Sequence, residues 1–306
     1  MEVLWLLEAD RVIAENQQCM GLRRNFGFAL LVAFACVFWW NAIAATFRLA
    51  WTNEGYTHII LILPLGLALI YLDSNKMRPA LEPSRLGGPF LLAAALALGC
   101  FARWGGPIAP DLRLTLDMFS FVLWAIASVL FCFGLPIVRG FLFPLGFLFW
   151  LVPLPDPILN WIIMGLQKES AVGTRWLFEL AHVPIAQDGV VLSLPGGLNI
   201  EVARECSSIR SSMVLIVTTM VLAHLFLCSW WRKLLVVLMA IPLAVAKNAL
   251  RIFVIVGLAL RVDPEYLNGD LHHRGGIVFL TIAFAVVGFV LWLLGRGETI
   301  TADQGR

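Results

Sequence analysis

The sequence has little charge. Only 14% of its 306 residues are Asp, Glu, Lys or Arg, whereas about a quarter of the residues of a soluble domain are charged. Sixty per cent of the residues are hydrophobic, so the composition excludes an ordinary soluble domain. The formal net charge is only +2 and there is no basic run. Nucleic acid is therefore not an expected partner.

Paired cysteine spacings are also lacking. The six cysteines form no Cys-x-x-Cys pair and no Cys/His cluster, so we predict no disulfide framework, no metal site and no cofactor. Four of them lie in apolar stretches, where a thiol usually acts as a small hydrophobe: Cys36, Cys100, Cys132 and Cys228. The first 24 residues carry acids and lack a small-residue cleavage site. We therefore expect no signal peptide, and the first apolar stretch should stay as a membrane span.

Long apolar stretches dominate the chain, and many approach the length of about 20 residues that spans a hydrocarbon core. They predict an all-α polytopic membrane protein with about eight transmembrane helices. The second stretch is short, and Pro144 and Pro153 break the fifth, so either could be tilted or re-entrant. The stretches are 26–46, 57–72, 87–104, 115–133, 138–153, 207–228, 233–260 and 274–295.

A polar section, residues 154–205, separates the fifth and sixth stretches. Its first half alternates apolar and charged residues, a pattern typical of helices lying at the membrane interface. Its second half alternates apolar and polar residues around Pro195, Gly196 and Gly197, which predicts a β-hairpin. We therefore expect a small insertion of interfacial helices and a β-hairpin before the sixth span.

The Lys and Arg residues of the loops predict the orientation. With the N-terminus in the cytoplasm, the inside segments hold ten of them and the outside connections of comparable length hold only five: Arg11, Arg23, Arg24, Lys76, Arg78, Arg85, Arg139, Arg232, Lys233 and Arg296, against Arg48, Arg103, Arg113, Arg261 and Arg274. The predicted segments are a cytoplasmic N-terminus (1–25), N-terminal spans (26–153), a periplasmic or external section (154–205), C-terminal spans (206–296) and a cytoplasmic tail (297–306).

Three clusters of polar residues lie in or beside the last three spans, where ionisable groups indicate function by default. Cys206 and Arg210 are four residues apart at the start of the sixth span. Asn248 and Arg251 are three apart in the seventh, and His272 precedes the eighth. Residues at these spacings share a helix face. The predicted orientation brings all three clusters to the outer face at similar depth.

Cys, Arg and His together suit acyl transfer through a thioester. A nearby imidazolium or guanidinium stabilises a thiolate nucleophile, and His can protonate a leaving amine near neutral pH. Arg stays charged, so it can bind an oxyanion or a carboxylate.

Each residue also has a structural interpretation. A lone membrane Cys is usually inert, Arg251 could pair with Glu201 or Glu205, and His58 and His224 are explained by loop or helix packing. On the residues alone, a cysteine enzyme and a transporter or channel both stay open.

Several motifs resemble those of the exosortase/archaeosortase family of membrane transpeptidases. Residues 54–64 resemble its early E-Y-S-H segment, and residues 205–210, which contain Cys206, resemble its A-C-S-G-I-R motif. Asn248 to Ile252 resembles its N-x-x-R-I motif, and His272 to Gly276 its H-x-x-x-G motif. The resemblance covers about 51–295, with the last three motifs at the outer ends of successive spans.

The resemblance implies that Cys206 is the nucleophile, Arg251 the transition-state or substrate clamp and His272 the acid/base. The implied partners are secreted proteins with a C-terminal sorting signal: a brief motif such as Pro-Glu-Pro, a transmembrane helix and a basic tail. The other implied partners are an unidentified acceptor nucleophile and membrane lipids. The implied location is the cell inner membrane, with the site facing the periplasm or exterior. The alternative is a transporter or scaffold component of exopolysaccharide export.

The chain departs from the family pattern near the nucleophile. Ser208 stands where the family commonly has Gly, and Glu205 where it commonly has Ala. A carboxylate beside Cys206 opposes thiolate formation unless an arginine such as Arg210 pairs with it. His273 is a rival to His272, which has the family's spacing to Gly276. Further candidate supporting residues are Asn248, Arg210, Ser207 and Glu205. The extra C-terminal periplasmic domain of some exosortases is not expected.

Overall fold

The computed structural model describes residues 22–74, 84, 86–194, 198–202, 209–263 and 276–303. Within them, six helices are long and apolar enough to cross a membrane, or up to eight if each of two bent helix pairs is one span. The prediction of an all-α polytopic membrane protein is therefore confirmed. The described residues form two compact units, one comprising those up to Thr52 with Ile59–Pro155, and the other Asn53–His58 with those from Asp156 onward.

The described part of the first unit consists of α-helices and one 3-10 turn. Pro110 opens α5, where its missing N–H costs nothing, and Gly134 follows the helix at φ +89°, a conformation that favours glycine. The helices are α1 (Leu22–Phe38), α2 (Trp40–Thr52), α3 (Ile59–Ser74), α4 (Gly87–Trp104), α5 (Pro110–Phe133), α6 (Leu135–Gly140) and α7 (Leu142–Phe147), followed by a 3-10 turn, Leu148–Leu151.

The first predicted span is two helices. α1 and α2 meet at 67° around Trp39, which is fully buried and donates a hydrogen bond from Nε1 to Ser120 Oγ at 2.8 Å. Trp124 Nε1 donates to the carbonyl of Leu31 at 3.0 Å. The sequence contains no proline at the bend, so the sequence pattern did not predict the bend.

The fifth predicted span, residues 138–153, is not one helix. α6 ends at Gly140, α7 covers six residues, and a 3-10 turn then runs to Leu151. Residues 152–155, which include Pro153 and Pro155, are non-helical, because proline has no N–H to continue a helix and restricts the residue before it. The interruption expected at Pro153 is therefore present, whereas Pro144, which was also expected to break the segment, lies within α7.

The second unit holds the polar section and the last three spans. A 3-10 turn, Glu54–Tyr56, precedes them in the chain and packs against the helix Ile209–Phe226. The other elements are α8 (Asp156–Leu180), β1 (Ala186–Asp188), β2 (Val191–Leu194), β3 (Leu198–Glu201), α9 (Ile209–Phe226), α10 (Trp230–Arg261) and α11 (Gly276–Asp303).

The predicted hairpin is present as part of a three-stranded antiparallel sheet, ordered β1-β2-β3. β2 pairs with β3 from Val191–Glu201 to Leu194–Leu198. β1 adds a strand that the pattern did not predict. It joins β2 through a two-residue turn in which Gly189 has φ +60°, the backbone conformation that such turns require.

Two apolar cores hold the second unit together. One lies among α9, α10 and α11 and includes Leu215, Val236 and Val287. The other joins α8, the sheet and α10 through Phe178, Leu192, Val202, Ile252 and related residues. The sheet and α8 are therefore fixed against the half of α10 that carries Arg251.

Candidate active site

Arg251, Asn248 and Arg210 lie within the described residues. Cys206, Ser207, Glu205, His272 and His273 lie outside them. By sequence, Cys206 is three residues before Ile209, where α9 begins, and His272 is four residues before Gly276, where α11 begins. The structure therefore describes the surroundings of the site and one member of the predicted Cys/Arg/His set.

Arg251 is buried in α10, with 8% of its surface exposed. Asn248 and Lys247, one turn earlier on the helix, are also buried, at 1% and 5%. Burying a guanidinium and an ammonium within an apolar span is expensive, and such groups commonly mark a functional site. Asn248 and Arg251 were predicted to share one helix face, and both are buried in α10.

Lys247 contacts α9, since its ammonium donates a hydrogen bond to the hydroxyl of Ser211. Ser211 is five residues after Cys206 in the sequence. Lys247 is part of the polar cluster of the seventh span, next to Asn248. Its contact with α9 could not be derived from the pattern.

Asn248 faces α8 instead. Its Nδ2 donates to Ser170 Oγ at 3.0 Å, and Thr174 Oγ1 lies 3.3 Å from the carbonyl oxygen of Ala249. A Cβ added at Gly173 would lie only 2.9 Å from Ala249 Cβ. α8 and α10 therefore pack closely just before Arg251.

α8 also contacts the chain that leads toward Cys206. Gln167 Nε2 donates to the carbonyl of Val202 at 2.8 Å, and Val202 is buried and four residues before Cys206. Gln167, Ser170 and Thr174 were not among the predicted residues. Polar residues three and four apart on an otherwise apolar helix face are the signal that could have indicated them.

Arg210 contacts the early motif. Its Nε donates to Thr57 Oγ1 at 3.3 Å, and its guanidinium is 3.7 Å from a Glu54 carboxylate oxygen. Both charged side chains are more than half exposed, so the ion pair adds little stability. His58 is buried, with 7% exposure. Residues 53–58 therefore belong to the unit that carries the candidate site. The helical spacing of the polar residues did not predict this contact.

A cleft of about 430 Å³ lies between α9 and α11, lined by Leu222, Phe226, Leu291 and Trp292 among others. It is at the ends of these helices remote from Ile209 and Gly276, so it does not belong to the candidate site. In the part of the chain that the structure describes, no group of three or more His, Cys, Asp or Glu residues could hold a metal ion.

The spans, the buried cations of α10 and the polar contacts from α8 and α9 define a multi-pass membrane protein with a polar site where several helices meet. The chain belongs to the transmembrane exosortase family, whose model matches residues 39–293. The predicted family resemblance is thus confirmed over most of the chain. No curated protein matches the chain, and no solved structure does.

Proposed function

We propose that the protein is a membrane cysteine transpeptidase or protease with Cys206, Arg251 and His272 as its catalytic residues. The observation that carries the proposal is Arg251, a buried guanidinium on α10 of an exosortase-family chain, at the spacing from Asn248 that the family motif has. Its helix packs against α9, which begins just after Cys206. His273 is the rival for the acid/base role.

The proposed reaction has two acyl-transfer steps. The Cys206 thiolate attacks a peptide carbonyl carbon, and Arg251 stabilises the oxyanion that forms. The C–N bond breaks as His272 gives its proton to the leaving amine, which leaves a thioester. An acceptor amine or water then attacks the thioester while His272 takes a proton from it, and the Cys206 thiolate leaves.

The proposed substrates are secreted proteins with a C-terminal sorting signal comprising a brief motif such as Pro-Glu-Pro, an apolar helix and a basic tail. The signal's helix would lie in the inner membrane beside the last three spans, with the motif at the periplasmic face. The acceptor would be an envelope component, including a lipid-linked or polysaccharide-linked amine. The family and the apolar spans support this proposal.

A co-expressed reporter tests the function. The reporter carries Pro-Glu-Pro, an apolar helix of about 20 residues and a basic tail, and cleavage is read as a size shift on a gel. The parent enzyme should cleave it and Cys206→Ala should not, with both inserted equally in the membrane. Cys100→Ala, which removes a thiol from α4, is the matched control and should cleave normally. Normal cleavage by Cys206→Ala would reject the proposal.

The buried Lys247 favours one second candidate, a transport component of exopolysaccharide export in which Lys247 and Arg251 bind an anionic substrate. In that case Lys247→Gln and Arg251→Gln should abolish export, and Cys206→Ala should leave it intact. A non-catalytic scaffold predicts that none of these substitutions matters. Secreted polysaccharide and reporter cleavage, both measured for the three variants, separate these functions from the proposed enzyme.

A further inference from the structure

α8 carries a stripe of three buried polar side chains, Gln167, Ser170 and Thr174, which we name the α8 stripe. They are 8%, 1% and 0% exposed. Their spacing of three and four residues places them on one helix face. The other face of α8 exposes Trp161 and Trp176. Buried polar groups cost free energy unless they are hydrogen-bonded, so the partners of the stripe matter.

One partner is the chain that approaches the nucleophile. Gln167 Nε2 donates to the carbonyl oxygen of Val202 at 2.8 Å. Val202 directly follows β3, is 1% exposed, and its N–H donates to the carbonyl of Val190. Both backbone polar groups of Val202 are therefore bound, and its position is fixed four residues before Cys206.

The other partner is the helix that carries Arg251. Ser170 Oγ accepts the Asn248 amide at 3.0 Å, and Thr174 Oγ1 contacts the Ala249 carbonyl at 3.3 Å while also donating to the carbonyl of Ser170 at 2.7 Å. The buried amide of Asn248 is thereby oriented one turn before Arg251. The close approach of Gly173 to Ala249 limits how far α10 can slide along α8.

We infer that the α8 stripe is a positioning element, which fixes the chain leading to Cys206 and the turn of α10 before Arg251 relative to one another. Gln167 and Ser170 are only about 4.5 Å apart along the helix, so one rigid turn holds both contacts. A misplacement of about 1 Å can lower a reaction rate about 100-fold. This inference rests on the proposed function and assigns residues outside the three proposed catalytic groups.

The test compares Gln167→Leu and Ser170→Ala with Lys168→Gln, an exposed position of the same helix. The full-length enzyme is purified in lipid nanodiscs, and the Pro-Glu-Pro reporter is the substrate. The turnover rate is divided by the amount of monodisperse, folded enzyme. A variant that is only less stable is therefore not scored as less active. kcat and KM are measured separately, together with the thermal unfolding midpoint.

If the stripe positions the site, each of the two variants lowers kcat per folded molecule at least 10-fold and changes KM less than twofold. The double variant then loses little more than the worse single variant, because residues that act as a unit are not additive. Lys168→Gln matches the parent. If both variants keep kcat within twofold and change only the folded fraction or the unfolding midpoint, the inference is wrong.

Ser170→Ala removes a single hydroxyl, so it decides the matter should Gln167→Leu not fold. Cys206→Ala, measured in the same assay, separates the two proposals. If Cys206→Ala is inactive and the stripe variants keep the parent kcat, the positioning role fails alone. If Cys206→Ala turns over the reporter, the proposed function fails.

Discussion

Arg251 is a guanidinium that the fold buries within a membrane-spanning helix. Desolvation of the guanidinium lowers the stability of the folded protein. In catalysis, the proposed role of this group is to bind the transition state more strongly than the ground state. Its neighbours Asn248 and Lys247 contact α8 and α9 respectively. The turn of α10 just before Arg251 is therefore the place where α10 is hydrogen-bonded to both α8 and α9.

Arg251→Gln should lower kcat for reporter cleavage about 100- to 1,000-fold, the usual loss when a transition-state donor is removed. Arg251→Lys should fall between the parent and the glutamine variant, because lysine keeps the charge and loses the planar fork. Arg261→Gln, at the exposed end of the same helix, is the matched control. Initial cleavage rates in membranes with equal enzyme measure the effect, and a parent-like rate for Arg251→Gln would contradict the assignment.

Trp39 is a buried residue whose polar atom has a structural role, because its indole N–H donates a hydrogen bond to Ser120 within the first unit. Trp39→Phe should destabilise the protein by about 1–2 kcal/mol, because it removes the hydrogen bond to Ser120 and leaves a small void. The measurement is a fall in the thermal unfolding midpoint with unchanged kcat per folded molecule. A drop in kcat with an unchanged midpoint would contradict this structural role.

At the scale of elements, α8 and α10 depend on a small residue at their contact. Gly173→Ala should destabilise the protein by about 1–3 kcal/mol, the usual cost of overpacking, since its Cβ would lie 2.9 Å from Ala249 Cβ. Adding Ala249→Gly should restore the unfolding midpoint by removing the opposing methyl. Gly165→Ala, where an added Cβ meets nothing within 4 Å, is the control.

The unfolding midpoints of these three variants, each compared with the parent, decide between close packing and a general effect of glycine substitution in α8. Equal changes for Gly173→Ala and Gly165→Ala, or no rescue by Ala249→Gly, would contradict the close contact.

The sequence was most informative about elements whose signal is local. Apolar runs predicted the spans, and alternation around Pro195 predicted the β2–β3 hairpin. The bend at Trp39 was not predictable, because it has no proline and involves Ser120, 81 residues away. The α8 stripe was missed for the same reason, since the Ser170 and Asn248 partners are 78 residues apart. Asn248 and Arg251 are only three residues apart, so their spacing in the sequence was enough to predict that they share one face of the helix.

At the scale of the whole molecule, the orientation rests on loop charge and can be mapped directly. Alkaline phosphatase fused after Gly189 should be active, because this turn is expected in the periplasm. Fluorescent protein fused after Lys233 or at the C-terminus should fluoresce, because both are expected in the cytoplasm. If the fluorescent fusion at Gly189 fluoresces and the phosphatase fusion there is inactive, the predicted orientation is wrong. The proposed site would then lie in the cytoplasm.

The central claim is that acyl transfer passes through a thioester on Cys206, and hydroxylamine tests it most directly because it attacks thioesters far faster than amides. Purified enzyme and the Pro-Glu-Pro reporter are incubated with hydroxylamine, and the new C-terminus of the reporter is identified by mass spectrometry. We expect a hydroxamate with the parent enzyme and no cleavage with Cys206→Ala. A cleaved reporter that carries only a carboxylate at saturating hydroxylamine, or a hydroxamate formed by Cys206→Ala, would contradict the account.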